Sequence, residues 1–336
     1  MSTINPIINI VPGDFGGCGY YRLIQVGNQL QLINKDVTIS SPCKFRAYSQ
    51  DVIYTQRLCS EKSLKPILDF KNKTGVKVIV DFDDLIWNYK GEGLPEYNYC
   101  RTKVDCDGNT EAMKKYANDV IDKASVTTEQ LKEALSQFID PRKITVLPNR
   151  LSIKEWLFDH PKTIPEEDIF FFAGSNTHYD NANKKPGDFS SGLIKYLSDK
   201  KIITMGVVPY FMKPVAHFQG CGLNTYAQNF HNIARKAKFV IAPLADNFFN
   251  KCKSPLKLLE CAAVGRVCLC SDFEGSPYSQ LAHEYQKVPV DATAQTIEYI
   301  VERAKKHYGE ILQHQYNILQ NYWLDNHLQE YVDFLK

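Results

Sequence analysis

Phe248-Phe249-Asn250-Lys251-Cys252-Lys253-Ser254-Pro255-Leu256-Lys257-Leu258-Leu259-Glu260-Cys261-Ala262-Ala263-Val264-Gly265 begins shortly after the apolar run Lys238–Ala242. That run, closed by Pro243, reads as a buried strand. Ser254 is a natural N-cap, Pro255 a natural first helical residue and Gly265 a natural stop, so a helix is expected over Ser254–Val264. Its start then points toward the carboxyl edge of the strands. Lys253 and Lys257 both crowd that start, where a cation is disfavoured by about 0.3–1 kcal/mol. A bound diphosphate would reverse the sign of that cost. Glu260 falls three residues after Lys257 on the same helical face, placed to accept hydrogen bonds from a ribose or to pair with Lys257 on a solvated helix.

Outward from this unit the same alternation recurs. In the second half, strands are expected at Ile169–Ala173, Ile202–Val207 and Val267–Ser271, with helices at Ser190–Ser198 and Tyr226–Ala234. In the first half, strands are expected at Pro6–Val11, Asp36–Ile39, Asp51–Tyr54, Val76–Asp81, Ser125–Thr127 and Ile144–Leu147. Helices fill Tyr20–Leu32, Ser63–Lys73, Glu111–Lys123 and Thr128–Gln137. Pro148 to about Pro165 has no clear period and serves as a connection. From Ala292 onward two helices are expected, with Tyr322, Trp323, Leu328, Tyr331, Val332 and Leu335 forming an apolar face. The chain of 336 residues thus reads as two α/β halves, with ligand loops at the carboxyl ends of their strands.

Composition fits this. The chain has 44% hydrophobic and 23% charged residues, which excludes disorder and fibrous repeats. With 40 Lys+Arg against 38 Asp+Glu, a basic nucleic-acid coat is excluded, though a local basic cleft is not. No apolar run reaches the roughly 20 residues of a membrane span. The start, Met1–Phe15, lacks the basic region and cleavage site of a secretory signal. Ten cysteines without a Cys-x-x-Cys pair suit a reduced, cytoplasmic protein; a zinc site from Cys100 and Cys106 would need further ligands.

Three other loops carry polar chemistry. Pro12-Gly13-Asp14-Phe15-Gly16-Gly17-Cys18-Gly19-Tyr20-Tyr21-Arg22 follows the first strand. Gly17 and Gly19 allow close approach of a ligand, and Arg22 in the first helical turn favours a phosphate nearby; a simple tight turn is the alternative. Asp81-Phe82-Asp83-Asp84 ends a strand, so Asp83 or Asp84 would bind acceptor hydroxyls, or Asp81-x-Asp83 would hold a divalent metal. Gly174-Ser175-Asn176-Thr177-His178 ends another strand, making Gly174 and Ser175 ligand-facing backbone and His178 either a ligand contact or a structural histidine.

Together these segments resemble GT-B glycosyltransferases, particularly the retaining family 4 and its phage and bacterial branch. The resemblance rests on Lys253-Ser254-x-x-Lys257-x-x-Glu260-x-x-Ala263-x-Gly265-x-Val267, on Gly174-Ser175-x-Thr177-His178, on Val146-Leu147-Pro148-Asn149 followed by Trp156, on Val78–Asp84 and on Gly17–Arg22. It implies two Rossmann-like parallel-sheet domains facing a central cleft: an acceptor domain at 1–150, a nucleotide-sugar domain at 151–317, and a helix at about 318–336 that crosses back. It implies sugar transfer from a nucleoside-diphosphate sugar as co-substrate, with no resident cofactor and no metal. Glu260 matches the glutamate that grips the nucleotide ribose, and Lys253 and Lys257 match cations near the diphosphate; Ser254 and Pro255 form the tip between them. The sequence departs from the family pattern where Cys252 replaces a first glutamate, so backbone amides around Asn250–Cys252 would serve the donor sugar. An Arg-x5-Lys pair is also missing, since Ser175 and Asn181 are uncharged.

The acceptor stays open between hydroxymethylated cytosine in phage DNA and an envelope or exopolysaccharide glycan. The DNA reading needs a basic, aromatic-lined cleft, for which Lys184, Lys185, Lys213, Arg101 and Lys103 are available. No convincing basic amphipathic helix points to stable membrane insertion. A nucleotide-sugar-binding module without catalysis and a nicotinamide-dependent oxidoreductase are the alternatives of other classes.

Overall fold

The computed structural model describes residues 6–14, 17–34, 36–40, 51–90, 94–95, 103–157, 164–175, 177–219 and 225–336. The first half runs β1 (Ile8–Val11), α1 (Gly17–Gly19), a π-helical turn (Tyr20–Ile24), α2 (Gln25–Ile33), β2 (Val37–Ile39), β3 (Val52–Gln56), α3 (Glu61–Thr74), β4 (Lys77–Phe82), α4 (Lys103–Val120), β5 (Lys123–Val126), α5 (Glu129–Leu135) and β6 (Ile144–Val146). After α6 (Ile153–Trp156), the second half runs β7 (Ile169–Gly174), α7 (Ser191–Leu197), β8 (Lys201–Gly206), β9 (Ala216–Phe218), α8 (Tyr226–Ala234), β10 (Phe239–Ala242), α9 (Phe248–Lys251), α10 (Leu256–Ala263), β11 (Val267–Asp272), β12 (Lys287–Pro289), α11 (Ala294–Lys306), α12 (Tyr308–Gln320) and α13 (Leu328–Leu335).

Among the described residues these strands form two six-stranded sheets, ordered β2-β1-β3-β4-β5-β6 and β12-β11-β10-β7-β8-β9, and every pairing is parallel. Strands buried on both faces explain the continuous apolar runs, such as Val78-Ile79-Val80 in β4. Strand order reverses direction between β1 and β3 in one sheet and between β7 and β10 in the other. Such switch points open a crevice beyond the strands' carboxyl ends.

The expected α/β alternation is present, with differences that have local causes. β9 and β12 are three-residue edge strands, too short for a period, and Pro289 terminates β12. The tail holds three helices, because the chain breaks at His307 and again at Leu324–Asn326. The connection after Pro148 is ordered where it is described: Leu151 bridges Trp323, and Leu151 and Trp156 are fully buried in the second half's core. α13 returns to the first sheet, where Tyr331, Phe334 and Leu335 pack with Ile8, Ile10, Tyr54 and Ile79. Each half also inserts into the other. Tyr20 and Tyr21 join the second half's core, while Phe249 and Cys252 join the first's.

Candidate active site

α10 sits at the seam between the halves. Gly265 (φ 65°) ends the helix, with the amide of Arg266 donating to Cys261 O at 3.0 Å, a Schellman-type closure. At the other end Pro255 takes the N-cap position, and Ser254 does not cap. Its Oγ instead accepts from Asn149 Nδ2 of the first half at 2.7 Å. Thr128 Oγ1 donates to Cys252 O at 3.0 Å, and Lys253 Nζ lies 3.9 Å from Asp84 Oδ1 and 4.5 Å from the Phe249 ring centre. Lys253 therefore stands where the two halves meet, rather than in bulk solvent.

Lys257 and Glu260 are ion-paired, as their spacing allowed, but on no solvated face. Glu260 is 1% exposed. Its Oε1 accepts from Tyr21 Oη at 2.7 Å, and Lys257 Nζ takes Oε2. Lys257 also donates to Tyr226 Oη at 3.3 Å and lies 4.8 Å from the Phe230 ring centre. Burial alone would lower the Lys257 ammonium; Glu260 outweighs it and holds the pKa well above its ordinary value.

The first domain's glycine-rich loop is arranged differently from expectation. Within its described part, the Gly19 amide donates to Asp14 Oδ1 at 3.2 Å, so the helix start is closed by the chain's own carboxylate. A Cβ at Gly19 would lie 2.0 Å from Asp14 O, which requires glycine there. Gly17 is exposed, and Phe15 and Gly16 lie outside the described residues. Arg22, expected near a phosphate, is 1% exposed. Its Nε and Nη2 grip Asp81 (3.0 and 2.7 Å) and its Nη1 donates to Leu147 O (2.6 Å) and Asn149 Oδ1 (3.1 Å). The guanidinium is thus committed to holding β4, β6 and Asn149 together, and through Asn149 it reaches Ser254.

Asp83 is likewise occupied. Arg57, which the sequence reading did not single out, donates to its two oxygens at 2.7 and 2.8 Å, and Gln56 Nε2 adds a third bond at 3.2 Å. Burial pushes Asp83 up, but Arg57 wins and brings it down to about 2. Arg57 also lies 3.5 Å from both Asp14 and Asp84, and its φ of 57° is left-handed for a non-glycine residue. Cys18, Asp83 and Asp84 bring ligand-type atoms within 4.8 Å. The Arg57 guanidinium is paired with both carboxylates of that group, and burial with Asp83 pushes the Cys18 thiol well above its ordinary range. Beside it, at the β1–β3 switch point, a cavity of about 470 Å³ is bounded by Gly13, Asp14, Gln56, Arg57, Lys62 and Ser63.

At the second switch point, Gly174 ends β7 and accepts the Val207 amide at 3.1 Å, and Ser175 is exposed with its Oγ 2.9 Å from Thr177 Oγ1; Asn176 lies outside the described residues. His178 is 23% exposed and its Nδ1 pairs with Asp188 Oδ2 at 2.8 Å. Asp188, fully buried, also accepts the Ala245 amide at 3.1 Å and Asn250 Nδ2 at 2.7 Å. One carboxylate thereby ties the loops after β7 and β10 to α9. Gly187 (φ 62°) permits this, since a Cβ there would stand 2.1 Å from His178 O. Asp188 was missed because Pro186-Gly187-Asp188 reads as an ordinary turn. The amides near Asn250 are used internally: Asn250 N donates to Asn247 Oδ1 (2.9 Å), and Lys251 N and Cys252 N close on Asn247 O and Phe248 O (both 3.1 Å). Cys252 itself is 1% exposed in the first domain's core. Cys100 and Arg101 lie outside the described residues, and Lys184 and Lys213 are exposed on the second domain.

Comparison with solved structures turns on this architecture. HepE from Anabaena, in complex with UDP and glucose, aligns over 98% of this chain and 99% of its own, with a TM-score of 0.65 at 10% identity. WaaB, a lipopolysaccharide outer core galactosyltransferase, aligns over 97% and 99%, with a TM-score of 0.57 at 12% identity. The fold is GT-B. A T4 phage BGT mutant in complex with UDP-glucose also shares it, over 97% of both chains, with a TM-score of 0.53 at 14% identity. No family model and no curated protein sequence matches the chain. Within the GT-B frame, α10 and the His178 loop belong to the second domain, and Asp84 and Asn149 face α10's tip from the first. Among the described residues no helix is long and apolar enough to cross a membrane.

Proposed function

We propose that this chain is a glycosyltransferase that moves a sugar from a nucleoside-diphosphate sugar to a hydroxyl acceptor. The observation that carries the reading is the α10 tip at the interdomain seam, where Lys253 and Ser254 meet Asp84 and Asn149 and Lys257 leads into Glu260. As the bond from the anomeric carbon to the diphosphate breaks, negative charge builds on the leaving group. Lys253, Lys257 and the first-turn amides of α10 are the groups suited to stabilise it. Glu260 serves the ribose, and His178, held by Asp188, serves the donor from the loop after β7. The acceptor takes the first-domain side, beside Arg57 and the β1–β3 cavity. Closure of the halves limits loss of the sugar to water. Membership of family 4 and retention of anomeric configuration belong to the proposal, supported by the Lys253–Val267 motif.

HepE and T4 BGT have been solved with UDP-glucose, which makes a uridine sugar the first donor to try. Hydroxymethylated cytosine in DNA is the first acceptor, supported by the resemblance of Gly17–Arg22 and Val78–Asp84 to phage transferases; a glycan is the second. The protein is incubated with labelled UDP-, GDP- and ADP-sugars and with DNA containing hydroxymethylated or plain cytosine, or with an oligosaccharide. Transfer of label to one acceptor, reduced at least about a hundredfold in a Lys253→Ala variant of unchanged thermal midpoint and in a folded Glu260→Gln variant, is the expected result. Wild-type rates in both variants would reject the site. Donor binding without transfer to any acceptor or to water would favour a binding module.

A further inference from the structure

Glu260 cannot grip a ribose in the arrangement described: it is 1% exposed and both of its oxygens are taken. The partner on Oε1 is unusual for its origin. Tyr21 comes from the other domain, 239 positions away, and reaches the carboxylate as a buried O–H donor at 2.7 Å. A ribose hydroxyl would make the same bond, one neutral O–H to one carboxylate oxygen. Burial first, and Glu260 second, push the Tyr21 phenol well above its ordinary range, so it remains a proton-bearing donor as a sugar hydroxyl does. Its ring completes a triangle with Trp156 and Tyr226, whose centroids lie 6.3 and 6.5 Å from it and 6.1 Å from each other, so its withdrawal would leave a space against Glu260 walled by both. Tyr21 also rides on the π-helical turn Tyr20–Ile24, a rare irregularity that occurs frequently at functional sites.

We infer that Tyr21 is an internal stand-in for the donor's ribose: its hydroxyl occupies the Glu260 oxygen that a ribose hydroxyl takes over when the nucleotide enters. Donor binding is then an exchange of one O–H donor for another, and it moves a first-domain residue whose neighbour, Arg22, holds Asn149 and through it Ser254 at the α10 tip. This inference rests on the reading of Glu260 as the ribose partner. It adds that apparent donor affinity is lowered by the fraction of molecules in which Tyr21 is seated.

Isothermal titration of wild type, Tyr21→Phe and Glu260→Gln with UDP, and then with ADP and GDP, separates the two statements. Removing the competing hydroxyl is expected to tighten nucleotide binding about three- to tenfold. Equal or weaker binding by Tyr21→Phe, while Glu260→Gln binds at least tenfold more weakly than wild type, overturns the inference and leaves the donor reading standing. Wild-type affinity in Glu260→Gln, or no binding of any of the three nucleotides, overturns both. Should Tyr21→Phe not fold, wild type labelled with [13Cζ]tyrosine gives the same answer. Saturation with the nucleotide that binds must shift one buried tyrosine resonance out of its carboxylate-bonded position, and an unmoved spectrum refutes the exchange.

Discussion

The loops that follow the first strand of each domain occupy the same station in their sheets, and they are built on opposite principles. After β1 the chain offers glycines and an arginine, yet Asp14 takes the Gly19 amide and Arg22 is sunk against Asp81. After β7 the loop carries no phosphate-binding signature, yet a buried Asp188 gathers His178, the Ala245 amide and Asn250 from three separate segments. Glycine content measures how close a backbone can approach something. Which something it approaches is decided by charges elsewhere in the chain. The first loop spends its polar groups on joining strands, and the second keeps a histidine at the crevice.

Breaking that contrast should be most dramatic on the first side. Asp81→Ala leaves a fully buried guanidinium without its counter-charge, so unfolding in urea should show a loss of about 3–5 kcal/mol. On the second side, Asp188→Asn keeps the shape but replaces an acceptor with a group that can donate to His178 Nδ1. Here the thermal midpoint should move little while sugar transfer falls about a hundredfold; equal loss in stability and none in transfer would make the two loops alike. The smallest effect concerns acid. Asp83 titrates at about 2 when folded, below its unfolded value, so its contribution is complete above about pH 4 and is lost as pH falls toward about 2. That amounts to roughly 2 kcal/mol, and urea midpoints measured down the pH scale should fall less steeply in Asp83→Asn than in wild type.

Local signals carried most of the fold. The β/α alternation, the stop at Gly265 and the same-face placement of Lys257 and Glu260 are properties of neighbouring residues, and they stand in the structure. Partnerships across long stretches of chain were not legible. Arg22 looked like a phosphate ligand because a cation opposes the helix dipole, and Asp81, 59 positions away, outweighs that argument. Tyr21 had no visible reason to meet Glu260. Cys252 looked like a lost site residue, whereas that position packs into the first domain's core. Arg57 and Asp188 act through pairings that only the assembled sheets create.

The return of α13 to the first sheet ties the order of synthesis to the order of folding. Tyr331, Phe334 and Leu335 cover Ile8, Ile10 and Tyr54, and Lys77 and Lys123 hold the backbone carbonyls of Lys336 and Phe334 at 2.9 Å. A nascent chain that has left the ribosome only as far as residue 150 therefore carries an uncovered apolar face and must wait, through the making of the whole second domain, for the segment that seals it. The half at 1–150 is thus sealed only after the half that follows it has been made.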